Sequence, residues 1–235
     1  MSKYDGYIPV LDKGYVKLIE HWGGGEANDH ESGIIEAARQ STDGNFKGWD
    51  NDTKLLKYLW DHKHSTPFEF AGAVFEVQAP IMVFREWHRH RTQVFNEVSA
   101  RYVEMKPMFY IPSDERLLAG GQSKTNKQAS GQPLDADVVG MARTVIEQSG
   151  IRSYQEYQTL LDHGVARELA RLVIPVNIYS RMRVAANLRN WCAFLTLREA
   201  PNAQFEIREF AHTIAGSLAT IFPHVLELHQ ASRAT

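Results

Sequence analysis

Cysteine is almost absent from this 235-residue chain: Cys192 stands alone, which excludes an internal disulfide framework and any zinc knot built from several thiolates. A surplus of one charge is missing too. Lys plus Arg number 26 against 28 for Asp plus Glu, a formal charge of -2, and that balance argues against a protein that coats nucleic acid. No run of about 18 apolar residues could span a bilayer, and Met1 to Lys13 lacks the apolar centre of a secretory signal. We therefore expect a cytoplasmic protein with neither membrane nor nucleic acid as partner. The Gly23-Gly24-Gly25 run has neither the Gly-x-Gly-x-x-Gly nor the Gly-x4-Gly-Lys-Ser/Thr spacing of a phosphate loop, so it reads as a turn. No internal repeat and no linker divides the chain, and 43% hydrophobic residues suffice for one sizeable core.

What is present has clear periodicities. Tyr15 to Trp22 predicts an edge strand, and Gly33 to Ser41 a helix. Thr53 to His62 predicts another helix, with Leu55, Leu56, Leu59 and Trp60 as its apolar stripe and Asp52 as N-cap. Phe68 to Ala79 has the composition of a buried strand, and Pro80 suits the first position of the helix that follows. Residues 113–137 turn to Gly, Ser, Lys, Gln and Asn, a long loop that fits either a mobile lid or a partly disordered segment. Asp135 to His163 predicts a long helix stopped by Gly164, and Arg167 to Leu172 a short one ended by Pro175. Asn177 to Asn187 alternates strictly, with Ile178, Ser180, Met182, Val184 and Ala186 on one side and Arg181 and Arg183 on the other. Ile207, Phe210, Ala211, Ile214, Leu218 and Ile221 form one helical stripe that Pro223 interrupts.

Chemistry concentrates between Arg85 and Arg101. Arg85, Arg89, Arg91 and Arg101 face only Glu86 and Glu97 there, although the chain as a whole is slightly acidic. A helix from Pro80 would pair Arg85 with Arg89 and Glu86 with His90 at i, i+4, anchored by Ile81, Met82, Val83, Phe84 and Trp87. Guanidinium groups hold phosphate through paired N–H donors, so such a cluster points to a phosphorylated ligand, with Asn96, Glu97 and Ser99 adding polar groups. Arg171, set among Leu169, Leu172, Val173 and Ile174, needs an anion to meet it and is a second candidate contact. Arg167 and Arg181 read as surface pairs, and Arg198 as a cation at a helix C-terminus. His88 and His90 lie two apart, on opposite sides of a helix, and cannot share an ion there, so no metal is expected. Ser99 lacks a nucleophile elbow, and Cys192 sits among bulky apolar neighbours as a core residue. These residues alone leave open a non-catalytic nucleotide- or RNA-binding protein that uses the cluster at 85–101.

A resemblance narrows this. Arg89-His90-Arg91, seven further residues and Ser99 make R-H-R-x7-S. With Asn96, Glu97 and Arg101 this resembles the defining motif of the flavin-dependent thymidylate synthases. Further blocks agree in order: Ala37-Ala38-Arg39-Gln40-Ser41, His64-Ser65-Thr66-Pro67-Phe68-Glu69, Arg85-Glu86-Trp87, Tyr110-Ile111-Pro112, Arg167-Glu168-Leu169-Ala170-Arg171, Asn187-Leu188-Arg189 and Leu197-Arg198. The resemblance implies one α/β (α+β) domain over 1–235, a central, mostly antiparallel sheet flanked by long helices. It implies a homotetramer with shared active sites that converts dUMP to dTMP with FAD, methylenetetrahydrofolate and NADPH, without a cysteine nucleophile. Carried over, Ser41, His64, Thr66, Arg89, His90, Arg91, Glu97, Asn187 and Arg189 serve FAD, and Asn202 stands where many members place a flavin-proximal His. Glu86, Arg89, Glu97, Ser99, Arg101, Arg171 and Arg198 serve dUMP. Arg198 is the catalytic residue, lying against the uracil and favouring ionisation at N3. Four positions depart from the family pattern: Val94 replaces Ser, Glu86 replaces Gln, Ala193 replaces Asn and Asn202 replaces His.

Overall fold

The clean alternation at 177–187 decides the architecture. The computed structural model describes residues 6–25, 29–123 and 131–233. Among them five strands, β1 (Tyr7–Val10), β2 (Gly14–Trp22), β3 (Gly72–Pro80), β4 (Val94–Glu97) and β5 (Tyr179–Asn187), form one sheet in the order β1-β2-β3-β5-β4. Every pairing is antiparallel, and Gly72↔Asn187 through Pro80↔Tyr179 joins the central strand β3 to β5. The helices are α1 (Ser32–Arg39), α2 (Trp49–Asp61), α3 (Ile81–Trp87), α4 (Asp114–Leu118), α5 (Ala136–Asp162), α6 (Arg167–Ala170), α7 (Leu188–Arg198), α8 (Phe205–Ile221) and α9 (Pro223–Arg233). Among the described residues no helix is long and apolar enough to cross a membrane.

One face of the sheet makes the core. Ala73, Phe75, Val77 and Ala79 of β3 and Met182, Val184 and Ala186 of β5 are buried on it. Helices α7 and α8 supply the opposing surface: Phe75 meets Trp191 edge-on at 5.2 Å, and Trp191 Nε1 donates to the Ala73 carbonyl at 3.1 Å. The stripe of α8 is wholly inside, from Ile207 to Ile221. The other face is polar, as a one-sided antiparallel sheet allows. There the Tyr15 hydroxyl donates to Glu76 at 2.8 Å, and Glu76 also faces Arg181. A smaller cluster of Met105, Phe109, Tyr157, Ala170 and Ile178 ties α5 and α6 to the sheet.

Several expectations are corrected. The segment from Tyr15 is not an edge strand, because β1 pairs with β2 and takes the edge. Phe68 to Phe70 lie in a 3-10 turn, so the buried strand starts at Gly72. Pro80 closes that strand with extended backbone and is the N-cap of α3, not its first residue. Helix α3 ends at Trp87, so Arg89 and His90 lie beyond it, and residues 94–97 form a strand. The stretch 113–137 is not all loop: the Ser113 hydroxyl caps α4, and Arg116 ties that helix to Glu206 at 2.9 Å. The middle of that stretch, 124–130, lies outside the described residues. Arg171 is exposed on a 3-10 turn, its leucine neighbours Leu169 and Leu172 being exposed as well.

Asp52 is the most consequential correction. It lies inside α2, fully buried, and its carboxylate pairs with Arg39 and accepts the Lys47 N–H at 2.6 Å. This pair joins α1 to α2 just ahead of the 3-10 turn that carries Ser41. Breaking a buried ion pair leaves a charge without compensation, which costs about 3–5 kcal/mol. Asp52→Ala is therefore expected to lose stability on that scale, read as a lower urea midpoint with an unchanged slope; a loss under about 1 kcal/mol would show that the pair is not structural.

Candidate active site

The short strand β4 explains why part of the arginine-rich segment turns inward. Its register sets Phe95 opposite Val184 and Glu97 opposite Met182, so both point to the core side of the sheet. Glu97 and Ser99 then line a cleft of about 580 Å³ together with Arg85 of α3, His88 just past its end, Arg171 and Ser180. Ile81, Phe84, Met105 and Ile174 give it apolar walls. The hydroxyl of Ser180 is buried with no hydrogen-bond partner. Arg85, Arg89, Arg91 and Arg171 are exposed and form no ion pair among the described residues. Two of these guanidiniums, Arg85 and Arg171, line the cleft beside the orphaned hydroxyl, a set that fits the phosphate of a nucleotide ligand.

The turn of α3 that sends Arg85 to the cleft sends Glu86 to Arg198. The Arg198 guanidinium pairs with the Glu86 carboxylate, donates to the Glu86 carbonyl at 3.3 Å, and its Nε donates to His90 Nε2 at 2.8 Å. That last bond makes His90 Nε2 an acceptor and the ring a neutral imidazole. Burial, reinforced by the Arg198 charge, lowers the His90 pKa to about 4. Burial raises the Glu86 pKa even though Arg198 opposes it, and Glu86 Oε2 is buried without a partner. Arg198 is thus held on two sides, by a carboxylate and by a neutral ring.

A second cleft, about 610 Å³, opens between α2, α7 and α9. His64, Ser65, Lys63 and Arg189 line it with Trp60, Phe68, Cys192, Ala193, Thr196 and His229. The end of α2 aims His64: Lys63 N–H donates to the Trp60 carbonyl at 3.0 Å and His64 N–H to the Leu59 carbonyl at 2.8 Å, the two bonds of a Schellman motif. Burial, with Glu199 nearby, pushes the Cys192 thiol up to about 12, so it is not a thiolate at neutral pH.

The expected site residues fall into three groups. Glu97, Ser99 and Arg171 share the first cleft; Glu86, His90 and Arg198 form one bonded unit; His64 and Arg189 share the second cleft. Arg189 pairs with Glu69, and Arg101 with Glu168 at 3.2 Å. Asn187 caps α7, its Oδ1 accepting the Asn190 N–H at 2.9 Å. Ser41, Thr66, Arg89, Arg91 and Asn202 are exposed, and no cleft brings them together on this chain. Sequence reasoning missed Ser180, Lys63 and His229. Ser180 left a signal, a lone hydroxyl on the apolar side of β5; the other two left none.

A family model described as "Thymidylate synthase complementing protein" matches residues 17–224. The chain is 44% identical to a flavin-dependent thymidylate synthase of Thermus thermophilus, over 88% of this chain and 72% of that one. Identity to the flavin-dependent thymidylate synthase of Thermosipho africanus is 38%, over 93% and 91%. Among solved structures, the UMP/dUMP methylase PolB from Streptomyces cacaoi bound with 5-Br UMP matches with a TM-score of 0.82 at 32% identity, covering 95% of this chain and 96% of that one. The same methylase bound with 5-Br dUMP matches at 0.80 and 33%.

Two imidazoles give the site a measurable pH signature. His229, like His90, is lowered to about 4, by burial and then by Arg233. The unfolded chain, with its histidines near 6.5, binds these protons more readily than the native state. Their contribution to stability is therefore complete above pH 6.5 and is lost as the pH falls towards 4. In a histidine NMR titration both rings are expected to stay neutral at pH 5.5; ordinary titration near 6.5 would show that Arg198 does not hold His90 as described.

Proposed function

The chain belongs to the family of flavin-dependent thymidylate synthases, and from that premise we propose how its residues divide the work of methylating dUMP to dTMP. In this reading methylenetetrahydrofolate is the carbon donor, FAD the hydride carrier and NADPH the reductant. The enzyme is a homotetramer whose sites are shared between subunits. The observation that carries it is the convergence of Glu97, Ser99 and Arg171 on one cleft, flanked by arginines that have no acid on their own chain among the described residues. Leu172 and Val176, exposed apolar residues in the lining of that cleft, support burial against a second subunit.

Arg171 and Ser99 hold the dUMP phosphate, one by charge and the other by a hydroxyl. Arg89, Arg91, His90, Glu97, Asn187 and Arg189 hold FAD, with Ser41, His64 and Thr66 around the flavin. Bound FAD supplies the hydride of the reduction. Arg198 sits against the uracil, where its fixed positive charge stabilises the anion at N3; Glu86 and His90 fix its orientation before substrate arrives. Because that orientation is built into the fold, little of the stabilisation is lost to reorganising the side chain. Cys192 takes no part: its thiol is buried and protonated.

Tritium release from dUMP labelled at carbon 5, with folate donor, FAD and NADPH, tests this directly. Removing one preorganised electrostatic group costs about 100- to 1000-fold in kcat, so Arg198→Ala is expected to lose that much while still taking up FAD. Full activity in that variant, or no flavin absorbance and no FAD uptake in the parent protein, would overturn the assignment. Since the solved relatives carry both 5-Br UMP and 5-Br dUMP, UMP belongs in the same assay as a second substrate. Cys192→Ala is expected to retain turnover within about twofold and to lose about 1 kcal/mol of stability by lost packing; abolished turnover in a folded Cys192→Ala protein would reinstate a thiol mechanism.

A further inference from the structure

Ser180 is a polar residue on a surface otherwise made of apolar ones. It lies on the core side of β5, between Ile178 and Met182, and only 5% of it is exposed. Its backbone is held in the sheet opposite Ala79, but its hydroxyl is buried and meets no hydrogen-bond partner among the described residues. Alanine would fill the position without burying a polar group, whereas an unpaired hydroxyl works against folding. A ligand explains this hydroxyl better than the core does. Its neighbours decide which part of a ligand. Strands β4 and β5 pair as Asn96↔Arg183 and Glu97↔Met182, and the Val98 N–H carries that register one residue further by donating to the Arg181 carbonyl at 2.8 Å. The next residue is Ser99 on one side and Ser180 on the other, and both line the first cleft. The Ser99 hydroxyl accepts the Arg101 N–H at 3.2 Å, which leaves its proton free to donate. Arg85 and Arg171 line the same cleft and form no ion pair among the described residues. Glu97, whose carboxylate repels an anion, stands two residues from Ser99, about 7 Å along an extended chain.

We propose that Ser180 donates its hydroxyl proton to the phosphate of the nucleotide in this cleft, as a binding residue beside Ser99 and Arg171. The inference deepens the dUMP reading above and rests on it. Phosphate oxygens are strong acceptors, and two neighbouring hydroxyls with two guanidiniums supply the donors that they need. A sugar hydroxyl is the other oxygen that the nucleotide brings, and it suits the Glu97 carboxylate, to which it can donate, better than a pair of arginines. The phosphate is remote from the pyrimidine carbon that is methylated, so the bond is equally strong in ground and transition states. Its loss therefore raises KM and leaves kcat unchanged.

The test compares Ser180→Ala and Ser180→Thr with the parent protein in the FAD-loaded state, by calorimetry with dUMP and by steady-state kinetics. Ser180→Ala removes a hydroxyl that has no partner in the free protein, so it is expected to unfold at the same or a higher temperature. Its dissociation constant and KM for dUMP should rise about tenfold, as loss of a hydrogen bond to a charged group does. Ser180→Thr keeps the hydroxyl and should stay within about threefold of the parent. The dideoxy analogue of dUMP, which has the phosphate and no sugar hydroxyl, separates the two oxygens, and Ser180→Ala should weaken its binding by the same factor. A loss with dUMP but not with the dideoxy nucleotide would move the contact to the sugar and overturn the proposal. Unchanged dUMP affinity, or a fall in kcat at saturating dUMP, would overturn it too. A lower unfolding temperature for Ser180→Ala would reveal a protein partner for the hydroxyl, with the same consequence. If the parent binds dUMP without methylating it, the activity reading fails and calorimetry alone decides the role of Ser180; if dUMP does not bind, both fall together.

Discussion

Positive charge that finds no carboxylate on its own chain is the constraint around which this molecule is arranged. Among the described residues Arg85, Arg89, Arg91 and Arg171 lack acidic partners, and guanidinium groups cannot lose their proton to escape repulsion. The fold does not neutralise them; it holds them. Helix α3 is anchored by Val83, Phe84 and Trp87, with the Trp87 ring stacked on Phe194 at 4.7 Å and its Nε1 bonded to Gln93 at 2.9 Å. That anchor fixes the direction in which Arg85 projects. In the proposed reading, the phosphates of bound nucleotides and a neighbouring subunit are the two sources of counter-charge.

The Arg198 unit solves the opposite problem. There a cation has a carboxylate, yet it must remain able to act on a ligand. Glu86 offsets part of its charge, and a neutral His90 accepts from Nε without adding charge of its own. A protonated imidazole at that distance would repel the guanidinium, so burial and the arginine together keep the ring neutral. Here the same burial that forms the core beside Phe194 sets the electrostatics of the site.

How much of this was legible in the sequence followed from how one-sided each element is. Strand β5 and helix α8 bury one face and expose the other, so their periods were plain in the residues. Strand β4 has four residues, Val94-Phe95-Asn96-Glu97, and a carboxylate on its core side, too short and too polar to announce a strand. Asp52 looked like a cap because it precedes an apolar stripe. Its true role depends on Arg39, thirteen residues back, a contact that no local pattern encodes. The grouping of His64 with Arg189, and of Glu86 with Arg198, likewise arises only when α7 closes over the sheet. The motif resemblance grouped these residues by ligand but not by direct contact.

The departures from the family pattern are not scattered at random over this geometry. In the first cleft, Ser99, Glu97 and Arg171 all keep the residues that the pattern calls for. Ala193 instead lines the second cleft, where a methyl group in place of an amide leaves room and removes a polar contact. Glu86 falls on the Arg198 unit. An amide there would offer one hydrogen bond and no charge, leaving the full guanidinium field to act on the pyrimidine. The carboxylate pairs with Arg198 tightly but cancels part of that field. On the proposed placement of the uracil against Arg198, the carboxylate trades electrostatic strength at the ring for a more firmly fixed guanidinium.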